Sequence, residues 1–153
     1  MEVLVISILS NNKNKISCSK RLEFDAGHRV PSHEGKCKML HGHRYGAEFT
    51  FVTDDLDQSG MVIDFAIIKS RLKRWIDHYW DHNIILDQCD KDLGNKISAI
   101  TGQNVFYLPY HPTAENMALH LLHDVCPSLF DQVQCVKVKL YETPNSYAEV
   151  EIK

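Results

Sequence analysis

The chain has 153 residues, 44% hydrophobic and 24% charged, with a formal net charge of -3. That length suits a single domain over residues 1–153, and the mild acidity argues against broad electrostatic capture of nucleic acid, which needs a clustered basic surface. No apolar run approaches the roughly 20 residues that span a bilayer. The apolar Val3-Leu4-Val5-Ile6 follows Glu2 rather than a basic segment, so neither a membrane span nor a secretory signal is expected.

In chain order, residues 3–9 read as an additional strand, with the Asn/Lys segment after them as a turn. Over 16–28, Ile16, Cys18, Leu22, Phe24, Ala26 and His28 share one face, with Lys20 the one misfit. Ser17, Ser19, Arg21, Glu23 and Asp25 share the other, a period of two that predicts a half-buried strand. Residues 41–53 alternate likewise, with His41, His43, Tyr45, Ala47, Phe49 and Phe51 in phase. After a polar turn at 54–60 the period becomes helical. Asp64 is suited to the N-cap, and Phe65, Ile68, Leu72, Trp75, Ile76 and Tyr79 form the stripe. A second helix is predicted after Pro112, capped by Thr113, with Met117, Ala118, Leu121, Leu122 and Val125 inward. Val136, Val138 and Leu140, then Ala148, Val150 and Ile152, read as two strands around Pro144-Asn145. The stretch 88–111 reads as a long loop with a short strand at Val105–Leu108. Strand pairs joined by short turns, with helices on one face, define an α+β domain with an antiparallel sheet.

The chemistry concentrates in Cys37-Lys38-Met39-Leu40-His41-Gly42-His43. His41 and His43, two apart on a strand, project from the same face. Gly42 between them permits a close approach or a bulge. His28 ends the preceding strand in the same phase. If the two strands pair antiparallel, three imidazoles converge. Three neutral imidazoles at about 2.0–2.1 Å form a zinc site with one open position, the pattern of catalytic zinc. Cys37 could close that site as a fourth ligand, or stand free as a base with Lys36 and Lys38 as cationic neighbours. Spacing alone leaves both open. Asp81-His82 follows the first helix, and His78 with His82 is a weaker second metal pair. Glu142 continues the phase of Leu140, which directs a carboxylate inward, where it needs hydrogen-bond donors. Five cysteines with no Cys-x-x-Cys spacing fit a reducing cytoplasm.

Together these residues resemble the 6-pyruvoyltetrahydropterin synthase superfamily. Phe24-x-Ala26-x-His28-Arg29 and Cys37-x-x-x-His41-Gly42-His43-x-Tyr45 look like its two zinc-histidine motifs. Gly60-Met61-Val62-Ile63-Asp64-Phe65, Asp81-His82, Pro112-Thr113-x-Glu115-Asn116 and Glu142-Thr143 follow in family order. The resemblance implies a T-fold: a four-stranded antiparallel sheet with two helices packed on one face. It implies a homo-oligomer, hexamer or tetramer, with sites between subunits. It also implies Zn2+ on His28, His41 and His43, Cys37 as general base, and Asp81 orienting His82 as its acid/base partner. Glu142 would anchor the pterin, with Thr113 and Glu115 in support, and Arg29, Lys36 or Lys38 would face a triphosphate.

The implied substrate is 7,8-dihydroneopterin triphosphate. Three residues separate Cys37 from His41, the bacterial spacing. That branch yields 6-carboxytetrahydropterin, acetaldehyde and triphosphate on the way to queuosine. Triphosphate elimination to a 6-pyruvoyl product is the alternative, and a noncatalytic zinc-stabilised module is the alternative of a different class. Trp80 stands where the family usually carries Leu, and Gly27 where it usually carries Ala or Ser.

Overall fold

The alternating segments pair as their periodicity requires. In a computed structural model that describes residues 14–153, β1 (Ile16–His28) and β2 (His41–Thr53) run antiparallel in one unbroken register, from Ile16 opposite Thr53 to His28 opposite His41. The strand expected at 3–9 lies outside the described residues. A short 3-10 turn, Lys36–Lys38, sits in the connection.

Helix α1 (Phe65–Tyr79) begins where Asp64 accepts the Ala66 N–H at 2.7 Å. Ile68, Leu72 and Ile76 are buried, whereas Phe65 and Tyr79, expected on the stripe, are exposed. Next come β3 (Asn83–Asp87), α2 (Lys91–Thr101) and β4 (Val105–Leu108). The third helical region opens at α3 (Ala114–His120), with Thr113 accepting the Asn116 N–H, passes through a π turn at Leu121–Val125, and ends in α4 (Cys126–Leu129). Pro127 explains the π turn, because it has no N–H for the carbonyl four residues back and its ring crowds that oxygen. Strands β5 (Gln134–Thr143) and β6 (Ser146–Glu151) close the chain around the Pro144-Asn145 turn.

The sheet order is β4-β3-β1-β2-β5-β6. The four predicted strands form the antiparallel run β1-β2-β5-β6, but β3 and β4 add to β1 in parallel. The sheet is therefore six-stranded and mixed rather than four-stranded and antiparallel. The loop expected at 88–111 is largely helix α2, so three helical regions replace the expected two. Only Gly94 of α2 is buried, which is why no helical stripe marks it. Gly94 leaves room for the phenol of Tyr107, which is out of phase with the core residues Phe106 and Leu108. A second correction falls on β5: a register shift makes Val136 the extra residue of a bulge, and Cys135 takes the core position.

The core lies between the sheet and helices α1 and α3. Phe24, Tyr45, Phe49 and Phe51 meet Ile68, Leu72, Ile76, Met117 and Leu121 there, each burial worth roughly 1.5–3 kcal/mol. Trp80 is fully buried against Phe24, Trp75 and Phe106, so the larger ring is accommodated by an aromatic cluster. The opposite face of the sheet is polar. Arg21 lies 4.4 Å over the Tyr141 ring, and Lys139 pairs with Glu149.

Candidate metal centre and active-site cavity

The β1–β2 register fixes the histidines: His28 lies opposite His41, and Ala26 opposite His43. All three imidazoles therefore stand at one end of the core face, with ring centroids 4.6, 5.1 and 4.9 Å apart. Their donor atoms lie within 4.8 Å of one another. Gly27 and Gly42 are cross-strand partners between them. A Cβ on Gly42 would come to 3.1 Å from the Ala26 carbonyl oxygen, and one on Gly27 to 2.7 Å from Ile84. The departure at Gly27 thus leaves space for β3.

The protonation of this cluster follows from its neighbours. His28 donates Nδ1–H to the Pro112 carbonyl at 2.8 Å, and His41 donates Nδ1–H to the Met39 carbonyl at 2.7 Å. A carbonyl can only accept, so in each neutral ring the Nε2 carries a lone pair. Those two Nε2 atoms face each other at 3.2 Å. His43 Nε2 is buried with no hydrogen-bond partner. Burial pushes the pKa values of both His28 and His43 below the ordinary imidazole range, against the pull of Glu142. Two opposed lone pairs repel one another unless a proton or a metal cation lies between them. The 3.2 Å spacing is close to the roughly 3.4 Å between two nitrogens on a tetrahedral zinc. The residues fit a divalent metal with imidazole ligands.

A cavity of about 370 Å³ opens beside the cluster, lined by His28, Cys37, Thr113, Glu115, Glu142 and Tyr147 among others. The structure thus gathers Cys37 and the three expected substrate-binding residues around one space. Cys37 is half-buried in the 3-10 turn, its carbonyl held by the Val30 N–H at 2.8 Å. It is not part of the group whose donors all lie within 4.8 Å of one another. Glu142 places Oε1 3.4 Å from His43 Nε2, an ion-pair distance without hydrogen-bond geometry. Its acceptor capacity faces the cavity. The Thr113 hydroxyl is engaged as the cap of α3, and Glu115 is exposed in the first turn.

Asp81 and His82 are built elsewhere. Asp81 Oδ1 accepts the Asp25 N–H at 2.9 Å, and its Oδ2 lies 3.0 Å from His82 Nδ1. Burial raises the Asp81 carboxyl, but the Asp25 N–H and His82 outweigh it and hold the pKa below the usual carboxylate value. His82 adopts φ 57° and leaves its side chain 77% exposed. Neither residue lines the Cys37 cavity. His78 and His82 do not form a metal group among the described residues.

Arg29 does not face the cavity as a free cation. It makes two bonds to Asp90, at 2.8 and 3.0 Å, and a third, at 3.4 Å, to the Lys38 carbonyl beside Cys37. Asp90 lies in the stretch expected to be loop and Asp87 just before it, at the end of β3, and no sequence motif marks either. Replacing Asp90 by Ala should lower the unfolding free energy by about 2 kcal/mol, the scale of hydrogen bonds to a charged group, which urea denaturation measures.

Comparison with known proteins agrees with this architecture. The profile of the family described as 6-pyruvoyl tetrahydropterin synthase matches residues 17–153. The chain belongs to that family. It is 50% identical over 137 residues to the 6-carboxy-5,6,7,8-tetrahydropterin synthase of Rickettsia bellii, covering 88% of this chain and 99% of that protein. The protein of the same name from Haemophilus influenzae is 35% identical over 141 residues, covering 86% and 95%. Among solved structures, the uncharacterized protein WS1659 from Wolinella succinogenes superposes with a TM-score of 0.76 at 26% identity, covering 92% of this chain and 99% of that one. The Plasmodium vivax 6-pyruvoyltetrahydropterin synthase shares the fold, with a TM-score of 0.67 at 19% identity, covering 91% and 99%.

Proposed function

We propose that the protein is a zinc-dependent 6-carboxy-5,6,7,8-tetrahydropterin synthase, converting 7,8-dihydroneopterin triphosphate into 6-carboxytetrahydropterin, acetaldehyde and triphosphate for queuosine biosynthesis in the cytoplasm. The observation that carries the chemistry is the pair of opposed Nε2 lone pairs on His28 and His41, with His28 lining a cavity that also holds the Cys37 thiol and the Glu142 carboxylate. The relatives' names and the Cys37–His41 spacing favour the carboxy product over the pyruvoyl one.

In this reading His28, His41 and His43 hold Zn2+, which when bound supplies Lewis acidity to the side-chain hydroxyls of the substrate. Glu142 accepts hydrogen bonds from the pterin ring N–H and amino groups, which gives its half-buried carboxylate the donors it lacks. Thr113 and Glu115 border the same pocket in support. The Cys37 thiolate removes a proton from the substrate side chain. Asp81 keeps His82 oriented and able to carry a proton, as an ionised carboxylate beside an imidazole does.

The separation of Asp81-His82 from the cavity supports a homo-oligomer, hexamer or tetramer, in which the pair from one subunit completes the site of another. Mixing Cys37→Ala with His82→Ala protein, after dissociation and reassembly, should then recover activity that neither variant has alone. Recovery no greater than the sum of the separate activities counts against shared sites.

The decisive assay is anaerobic incubation of the zinc-loaded protein with 7,8-dihydroneopterin triphosphate, with products identified by mass spectrometry. Acetaldehyde and 6-carboxytetrahydropterin are expected. A 6-pyruvoyl product would transfer the protein to the other branch. No turnover by folded, zinc-loaded protein would favour the noncatalytic module.

A further inference from the structure

Asp87, at the end of β3, is 8% exposed. Its Oδ1 accepts the Cys89 N–H at 2.8 Å, and its Oδ2 lies 2.6 Å from His111 Nδ1. Burial raises the Asp87 carboxyl, but the Cys89 N–H and His111 outweigh it and hold the group ionised. A carboxylate only accepts, so His111 must donate from Nδ1. The His111 carbonyl is held in turn by the Asn116 amide at 2.9 Å and the Thr113 N–H at 2.8 Å. The next residue is Pro112, which is buried, and its carbonyl is the one that fixes the tautomer of His28. Proline has no N–H and a locked φ. The direction of that carbonyl is therefore set by its neighbours on either side.

We propose that Asp87 and His111 are the positioning pair of the metal ligand His28. Their hydrogen bond anchors the 111–113 turn, and the Pro112 carbonyl in that turn holds His28 with Nε2 toward the metal. The inference rests on the reading of His28, His41 and His43 as metal ligands. On that footing the β3–α2–β4 segment supports the metal site through Asp87 and His111, neither of which lines the cavity.

Asp87, Cys89 and His111 also have donors within 4.8 Å of one another, a spacing that could suggest a second metal. Both Asp87 oxygens are already bonded, however. The 2.6 Å between Oδ2 and Nδ1 is a hydrogen-bond distance, well short of the roughly 3.3 Å between two ligands on one zinc. The Cys89 N–H and His111 satisfy the Asp87 carboxylate without an ion.

The test measures Zn2+ affinity by competition with a chromophoric chelator for the full chain and for Asp87→Asn, His111→Ala and His111→Asn. Urea unfolding of each metal-free protein and the visible spectrum of each Co2+ complex accompany it. Asp87→Asn is isosteric, and His111→Asn keeps an N–H near the position of Nδ1. The wild type should bind one equivalent. Asp87→Asn and His111→Ala should bind one equivalent about 10–100-fold more weakly, the range for loss of a metal site's outer hydrogen bonds, with an altered Co2+ spectrum. His111→Asn should recover most of the loss. Equal affinities in all four proteins, whatever their unfolding midpoints, would overturn the proposal. So would a wild type with two equivalents of which Asp87→Asn loses one. A wild type that binds none would remove the three-histidine reading itself, an outcome distinct from equal binding by every variant.

Discussion

Cys37→Ala should reduce turnover by roughly 10²–10⁴-fold, the usual contribution of a positioned acid or base, while zinc content stays near one per chain. The expectation follows from where the thiol stands. It borders the cavity that holds Glu142 and His28, yet lies outside the compact group of three imidazole donors. The turn carrying it is pinned by main-chain bonds, from Val30 N–H to the Cys37 carbonyl and from Met39 N–H to the Lys36 carbonyl, neither of which involves the sulfur. The fold should therefore tolerate the loss of Sγ. Metal analysis and steady-state kinetics on the same preparation separate the two roles open to this cysteine. Turnover lost with zinc retained identifies a base. Zinc lost together with turnover would mean that the thiol closes the coordination shell, and the site would be structural.

Much of the three-histidine cluster was legible because a strand pair converts sequence spacing directly into geometry. With one face of each strand apolar, slipping the register by one residue would expose Phe24, Tyr45, Phe49 and Phe51, so the register is strongly specified. Once it is set, His28 must face His41, and His43 must sit two rungs along. The caps at Asp64 and Thr113 were legible for a similar reason, since both act on N–H groups two or three residues away.

The features that were not legible depend on distant contacts or weak patterns. Strand β3 is a short run with all five residues buried, whose type periodicity cannot assign. Helix α2 buries one glycine and shows no stripe. The bond between Asp87 and His111 spans 24 positions and carries no motif, although it lies one residue from the Pro112 carbonyl that accepts the His28 Nδ1–H. The placement of Asp81-His82 away from Cys37 depends on the main-chain bonds of Asp25 and could not be read from the dipeptide.

His41→Ala should abolish metal retention and activity together, and the pH dependence of the metal-free protein should show why the site suits a cation. With His41 gone, two imidazoles remain, fewer than the three protein ligands usual for catalytic zinc. Near-wild-type zinc retention in that variant would contradict the three-histidine site. The pH argument concerns His28 and His43, both lowered chiefly by burial. Unfolded histidine titrates near about pH 6.5. Between that value and the lower folded-state values, the unfolded chain binds more protons than the folded one, so stability rises with pH across this window. Metal-free protein should therefore unfold at lower urea near about pH 5.5 than near about pH 7.5. That range lies above the titration of carboxylates, near about pH 4, so the lowered groups Asp81 and Asp87 contribute little to the difference. In His28→Gln the dependence should be shallower, because one of the two imidazoles lowered by desolvation no longer titrates. An unchanged slope in that variant would mean that protonation of His28 is not what destabilises the fold, and that its neutrality is not imposed by the site.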